Sequence, residues 1–371
     1  MSKALKKVDK KYLFVIGGIF VVIFLIIGIV ALFRACTGPG NNYEKTEEKM
    51  KNAAASYFTS EGQSLPDESE SKEVSVAELS GAGFMKDLSE YLVDVSCSGK
   101  VTVYNHGGQM LYVPDLDCAE YKTKHLADKI KEDSLIENSD DPYESGLYSM
   151  DDKFVFRGKN PNNYLTFGGI SWRIIDISSD GLIRVIKSEP EKRSIAWDTK
   201  FNSEVNKTYG VNDYRNSYIV EKMNEDYAGF KDENKKHLAP YSVCVGKRAS
   251  QDLAIDYNID CIETLDNQYI GIINSSDYGR ASLDTECKSV LSGSCVNYNY
   301  MTTITTDTWT STAMNTNTYD VININGGVAS TTNARKTATY NWVIAFEGSE
   351  KYISGDGTEK NPYVIGSSSK K

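Results

Sequence analysis

The sequence predicts an α+β protein with a single N-terminal transmembrane helix, a small α+β module beyond it and a larger β-rich domain. Three observations carry that expectation. An uncharged apolar run without proline extends from Tyr12 to Phe33. Cys97 and Cys118 each stand ten residues from Gly107-Gly108, as partners across a hairpin do. From Phe154 onward, short β-branched and aromatic runs alternate with glycine turns.

The apolar run holds 22 residues, against roughly 20 needed to cross a hydrocarbon core of ~30 Å. A helix satisfies its own backbone there. Lys3, Lys6, Lys7, Lys10 and Lys11 precede it with Asp9 as the one acid, so the positive-inside rule places residues 1–11 in the cytoplasm and the bulk outside. The expected organisation is a stub (1–11), a signal-anchor helix (12–33) in the lipid bilayer of the cell membrane and a linker (34–42). A cleaved signal peptide is a rival, although the run exceeds the usual h-region. A lipoprotein is another, because Cys36 follows closely.

Charge divides along the same line. The chain carries −10 overall, which leaves −15 once the +5 of residues 1–34 is set aside. Such an acidic surface repels nucleic-acid phosphates, so nucleic acid is excluded as a partner. Six of the seven cysteines fall in close pairs: Cys97 with Cys118, Cys244 with Cys261 and Cys287 with Cys295. With no C-x-x-C and only His106, His125 and His237 scattered along the chain, disulfides in an oxidising exterior are the simpler expectation than a zinc site. Cys36 is left over.

The first module is expected over 43–121. Met50, Ala53, Ala54, Tyr57 and Phe58 recur at helical spacing, with Glu44, Glu47, Glu48 and Lys51 on the other face. A shorter helix follows, with Ser75 and Glu78 as a capping box and Val74 and Leu79 as a hydrophobic staple. Gly107-Gly108 then turns a hairpin whose register sets Cys97 opposite Cys118 on a non-hydrogen-bonded rung, where Cα atoms approach to about 4.5 Å. Residues 122–142 read as a connector. In the larger domain, 143–366, strands are expected at 154–156, 164–167, 170–177 and 182–186, and a helix from near Asn212. The Thr/Asn/Ser-dense stretch from Tyr298 reads as surface-facing, and 367–371 as a disordered tail.

Two resemblances accompany this reading. Residues 43–121, through Ala53-Ala-Ala-Ser-Tyr57, Leu65-Pro66 and the helix before Cys97, resemble the globular part of pilin-like proteins. A prepilin cleavage pattern is missing. Residues 146–366 are similar to bacterial surface domains with a C-type-lectin-like fold, through Ser171-Trp-Arg-Ile-Ile175, Ser194-Ile-Ala-Trp197, Tyr269-Ile-Gly-Ile-Ile273 and Asn361-Pro-Tyr-Val-Ile365. Where those relatives carry Arg-Pro, this chain has Asn341-Trp342. The resemblances imply a surface protein that recognises an envelope polysaccharide, a glycan or a surface protein. A structural subunit of a pilus-like or secretion assembly is the alternative, and an enzyme a third.

No Gly-x-Ser-x-Gly, His-Glu-x-x-His, phosphate loop or dinucleotide fingerprint occurs, so no catalytic residue, metal or cofactor is expected. Asp356 with Glu359, and Asp140 with Asp141, lack the alternation of a calcium loop and read as solvated charge. Trp172 and Trp197 lie on apolar strand patterns and are expected in the core. Trp309, in a Thr/Asn stretch, is the candidate ligand contact.

Overall fold

The computed structural model describes residues 42–365, apart from 61–62, 68–70, 94–95, 107–108, 152, 180 and 351. The protein is mixed helix and sheet, and more of it is strand than helix. This corrects the expected class, which was headed by a transmembrane helix. Among the described residues no helix is long and apolar enough to cross a membrane. The longest, α1 (Tyr43–Phe58), has 16 residues, so at ~1.5 Å per residue it falls short of a ~30 Å core, and charged residues run along it. The run at 12–33, the stub at 1–11, Cys36 and the tail 367–371 lie outside the described residues. The chain divides into two compact units, with Thr123 closing the first and Lys124 opening the longer part of the second.

In the first unit α1 is followed by β1 (Ser71–Ser75), α2 (Val76–Gly81), β2 (Ser98–His106) and β3 (Gln109–Asp117), the strands forming one sheet in that order. Met50, Ala53, Ala54 and Phe58 pack from α1 onto Val101, Val103 and Leu116. The helical spacing in the sequence thus marks the buried face. Glu47 departs from it: its carboxylate is buried and accepts from the Tyr121 hydroxyl at 2.7 Å and Thr123 Oγ1 at 2.6 Å. The Tyr43 ring stacks on Tyr121 at 4.3 Å. α2 begins with the capping box, Ser75 Oγ accepting from Glu78 N while Ser75 N donates to Glu78 Oε2 at 2.8 Å. Val74 and Leu79 are both buried. β2 and β3 end symmetrically about 107–108, and the Cys97–Cys118 disulfide closes their open end with Cα atoms 4.1 Å apart.

Within the span read as a connector, which the sequence allowed to be partly helical, lies α3 (Leu126–Ser134), and its Leu126 and Ile130 enter the core of the second unit. β4 (Gly146–Met150), β5 (Lys153–Arg157), β6 (Tyr164–Phe167), β7 (Ile170–Ile177) and β8 (Leu182–Lys187) follow. They join β17 (Val343–Glu347) and β18 (Tyr363–Val364) in a seven-stranded sheet. Gly168 and Gly169, at φ +61° and +77°, make the two-residue turn between β6 and β7. Positive φ at both centres matches the strand twist and is easy for glycine. Next come β9 (Ile195–Ala196), α4 (Tyr218–Ala228), α5 (Asp232–Lys235), β10 (Tyr241–Cys244), β11 (Lys247–Arg248), α6 (Tyr257–Asp260), β12 (Thr264–Gln268) and α7 (Ser275–Arg280). The helix expected from Asn212 starts later: Tyr214–Asn216 is a 3₁₀ turn, and Ser217 is extended before α4.

β13 (Asp307–Met314), β14 (Asp320–Asn325) and β15 (Val328–Asn333) form a second sheet with β11, and β16 (Thr337–Ala338) pairs with β9. Here a second expectation is corrected. Trp309 is fully buried, and Thr308, Thr310, Ser311 and Thr312 with it. β13 has β11 on one side and β14 on the other, and its hydroxyls find internal acceptors. Thr310 Oγ1 donates to Ile322 O at 2.7 Å, Ser311 Oγ to Cys244 O at 2.7 Å and Thr312 Oγ1 to Asp260 Oδ1 at 3.0 Å. Burial of a hydroxyl is costly only when no bond replaces water.

Two buried arginines carry three ion pairs in the interior. Arg184 spans Asp176, its cross-strand partner, and Asp277 on α7. Arg248 meets Asp260 through Nε and Nη2 at 2.8 and 2.9 Å, while its remaining N–H groups donate to Asp252 O, Ala254 O and Ser276 Oγ. Satisfaction of nearly every proton is what allows such a charge to stay buried.

Candidate functional site

Of the four tryptophans, Trp172, Trp197 and Trp309 are buried and Trp342 is half-buried. The surroundings of Trp342 form the candidate ligand surface. The residue precedes β17, in a segment fixed by its neighbours. Asn341 is buried and donates Nδ2 to Lys187 O and Ile304 O, both at 3.0 Å. Lys187 N in turn donates to Trp342 O at 2.8 Å. The main chain on both sides of the indole is therefore pinned to β8.

The other half of the surface comes from the last turn of α4 and the chain after it. Ile219 and Met223 bury one face of that helix, which leaves Asp226 and Tyr227 half-buried at its end. One oxygen of Asp226, Oδ2, accepts the Trp342 indole N–H at 2.9 Å and the Tyr340 hydroxyl at 3.0 Å. Oδ1 accepts no hydrogen bond among the described residues. Burial pushes the Tyr340 phenol up to about 12, and the Asp226 charge adds to it against the opposing Arg193. Arg193 is raised in return, chiefly by its hydrogen bond to Tyr340.

From Trp342 the rings continue outward. Phe230 meets it edge-on at 5.3 Å, Tyr227 lies 6.1 Å from Phe230, and Tyr269 stacks on Tyr227 at 5.2 Å with an 8° interplanar angle. All four are half-buried. Two lysines sit over ring faces: Lys187 Nζ is 4.2 Å from Trp342, and Lys235 Nζ is 5.2 Å from Tyr227. Around Asp226 and Tyr340, the two residues next to the indole in this network, opens a cleft of about 440 Å³ also lined by Lys187, Glu189, Glu191 and Arg193, among others. That volume falls within the range of ~300–1,000 Å³ of small-molecule sites. Lys187 is paired with Glu191 and Arg193 is tied to Tyr340, so the wall offers directed hydrogen-bonding groups more than a net field of one sign.

The structure brings together few of the residues singled out in the sequence. Trp309 is in the core, its Nε1 donating to Ile195 O at 2.8 Å, and is no part of this surface. The six cysteines form three disulfides, with Cα separations of 4.1, 4.4 and 4.7 Å, and none lines the cleft. Among the described residues no group of three or more His, Cys, Asp or Glu is placed to hold a metal ion. Asp226, Phe230, Tyr269 and Trp342 were not anticipated as site residues. Comparison with protein-family models, with curated proteins and with solved structures returns no match.

Proposed function

We propose that the second unit is a recognition module, and that its ligand surface is the run of rings from Tyr269 to Trp342 gathered around Asp226. A polar, largely uncharged polymer of the glycan class fits this chemistry. Sugar rings combine apolar faces, which settle on aromatic carbon, with hydroxyl edges, which need acceptors and donors at fixed positions. Half-exposed rings supply the first need. Asp226 Oδ1, Lys187 and Arg193 supply the second. The observation that carries the reading is Asp226: a carboxylate oriented through one oxygen by two aromatic donors while the other accepts no hydrogen bond among the described residues. Three disulfides are consistent with an extracellular protein, where envelope and host glycans are found.

Co-sedimentation of the full chain with insoluble peptidoglycan, chitin and cellulose tests the proposal. Binding to at least one polymer is expected, together with a loss of about tenfold or more in affinity for Trp342→Ala, as for an aromatic anchor. Retention on none of them, or full affinity in the variant, would remove the glycan reading.

A further inference from the structure

A second surface lies elsewhere on the same unit. α3 ends at Ser134, and Leu135 turns extended, at φ −69° and ψ 123°. Ile136 N then donates to Leu147 O at 2.8 Å, and Leu135 bridges Leu147 in parallel, so the chain runs briefly as an outer strand beside β4. Two clefts of about 710 Å³ each open along this ridge, and both are lined by Leu135, Ile136 and Glu137. Pro142, Tyr148 and Phe154 give one of them an apolar side.

Next to Pro142, Tyr143 stacks face to face on Tyr298 with ring centroids 3.9 Å apart, and the two residues remain 41 % and 39 % exposed. Tyr298 holds its place with φ at +46°, a conformation that costs a bulky side chain. An exposed pair of stacked rings beside an apolar cleft has the composition of an interface centre. Charge then selects the occupant. Glu132, Glu137, Asp141 and Glu144 line the two clefts, against Lys131 alone, and Lys131 Nζ is already engaged 4.5 Å above the Phe154 ring.

We infer that the two clefts along Leu135–Ile136, with the Tyr143–Tyr298 pair, form a docking surface for an extended cationic segment of a partner protein that presents apolar side chains between its charges. The ridge runs beside β4 at Leu135 and Ile136, so an incoming strand-like segment can place alternate side chains into the clefts and at the acidic rim. The surface shares no residue with the Asp226 site.

The test measures fluorescence anisotropy of the full chain with a short labelled peptide alternating lysine and leucine, and with its glutamate-for-lysine counterpart. Saturable binding of the lysine peptide is expected, weakening as salt rises toward about 0.5 M, with no binding of the glutamate peptide. Glu137→Lys and Tyr143→Ala should each weaken it about tenfold, whereas Trp342→Ala should leave it unchanged, which separates this surface from the glycan site. Equal binding of both peptides, or indifference to Glu137→Lys, would overturn the inference. So would a cationic polysaccharide that displaces the peptide at far lower concentration, since the partner would then not be a protein.

Discussion

The indole N–H of Trp342 donates to Oδ2 of Asp226 at 2.9 Å, and this bond joins the segment ahead of β17 to the last turn of α4. The partners stand far apart in sequence, and each is fixed by its own element. In the proposed reading the bond serves both stability and recognition, because it orients the carboxylate whose other oxygen would meet the glycan. Trp342→Phe removes the donor and keeps a ring. It should cost about 1 kcal/mol in denaturant unfolding, since the pair is half-exposed, yet weaken glycan retention by more than that loss implies. Equal effects on stability and binding would mean that the bond is structural only.

Trp309 and Trp342 should behave as opposites. Trp309→Ala opens a cavity in a two-sided sheet and leaves Ile195 O without its donor, so a loss of about 3–5 kcal/mol in unfolding free energy is expected. Trp342→Ala should cost far less and retain the near-ultraviolet dichroism of the buried rings. Comparable destabilisation by the two changes would contradict the placement.

Arg248 and Asp260 lie side by side with the Cys244–Cys261 bridge, because Cys261 follows Asp260 directly. Arg248→Met should destabilise by about 3–5 kcal/mol, since it strands a buried carboxylate. Removal of the bridge in Cys244→Ala/Cys261→Ala should cost about 3 kcal/mol, as for a loop of this length. The combined loss should be smaller than the two added together, because both changes loosen the same turn. Strict additivity in denaturant midpoints would argue against that coupling.

Alkali should unfold the second unit through its tyrosines. Burial raises Tyr214, Tyr241, Tyr278, Tyr300 and Tyr363 above the ordinary phenol range, and Tyr340 to about 12. A raised folded value means that the folded state keeps its proton after the unfolded chain, at about 10, has released it. The contribution is therefore complete below about pH 10 and is lost as pH climbs through about 12 and beyond. Absorbance titration should resolve a group of tyrosines that ionise only as structure is lost. Smooth ionisation of all of them near pH 10 in folded protein would contradict this.

Local rules carried much of the fold. The Ser75–Glu78 capping box, the symmetric hairpin closed by Cys97 and Cys118, and the strands from Lys153 to Lys187 depend on neighbours in sequence, and turn chemistry and alternation mark such elements. Three features depended on distant partners. Thr308 to Thr312 read as surface because hydroxyls are polar, and only the flanking strands and the acceptors at Cys244, Asp260 and Ile322 make their burial cheap. Glu47 sits on the polar side of its helix by spacing, but Tyr121 and Thr123 arrive from the end of the unit to bond it. The proposed ligand surface was illegible for the same reason: Asp226, Tyr269 and Trp342 come from three separate stretches of the chain, and no spacing rule links them.

The most direct test of the recognition surface is acrylamide quenching of intrinsic fluorescence, with and without soluble fragments of whichever glycan the chain retains. Trp342 is the one tryptophan of the four that is not buried, so it should supply nearly all of the quenchable signal. A glycan seated around Asp226 should protect that signal, and Trp342→Phe should abolish both signal and protection. Saturable glycan binding that leaves Trp342 as quenchable as before would place the ligand elsewhere on the molecule.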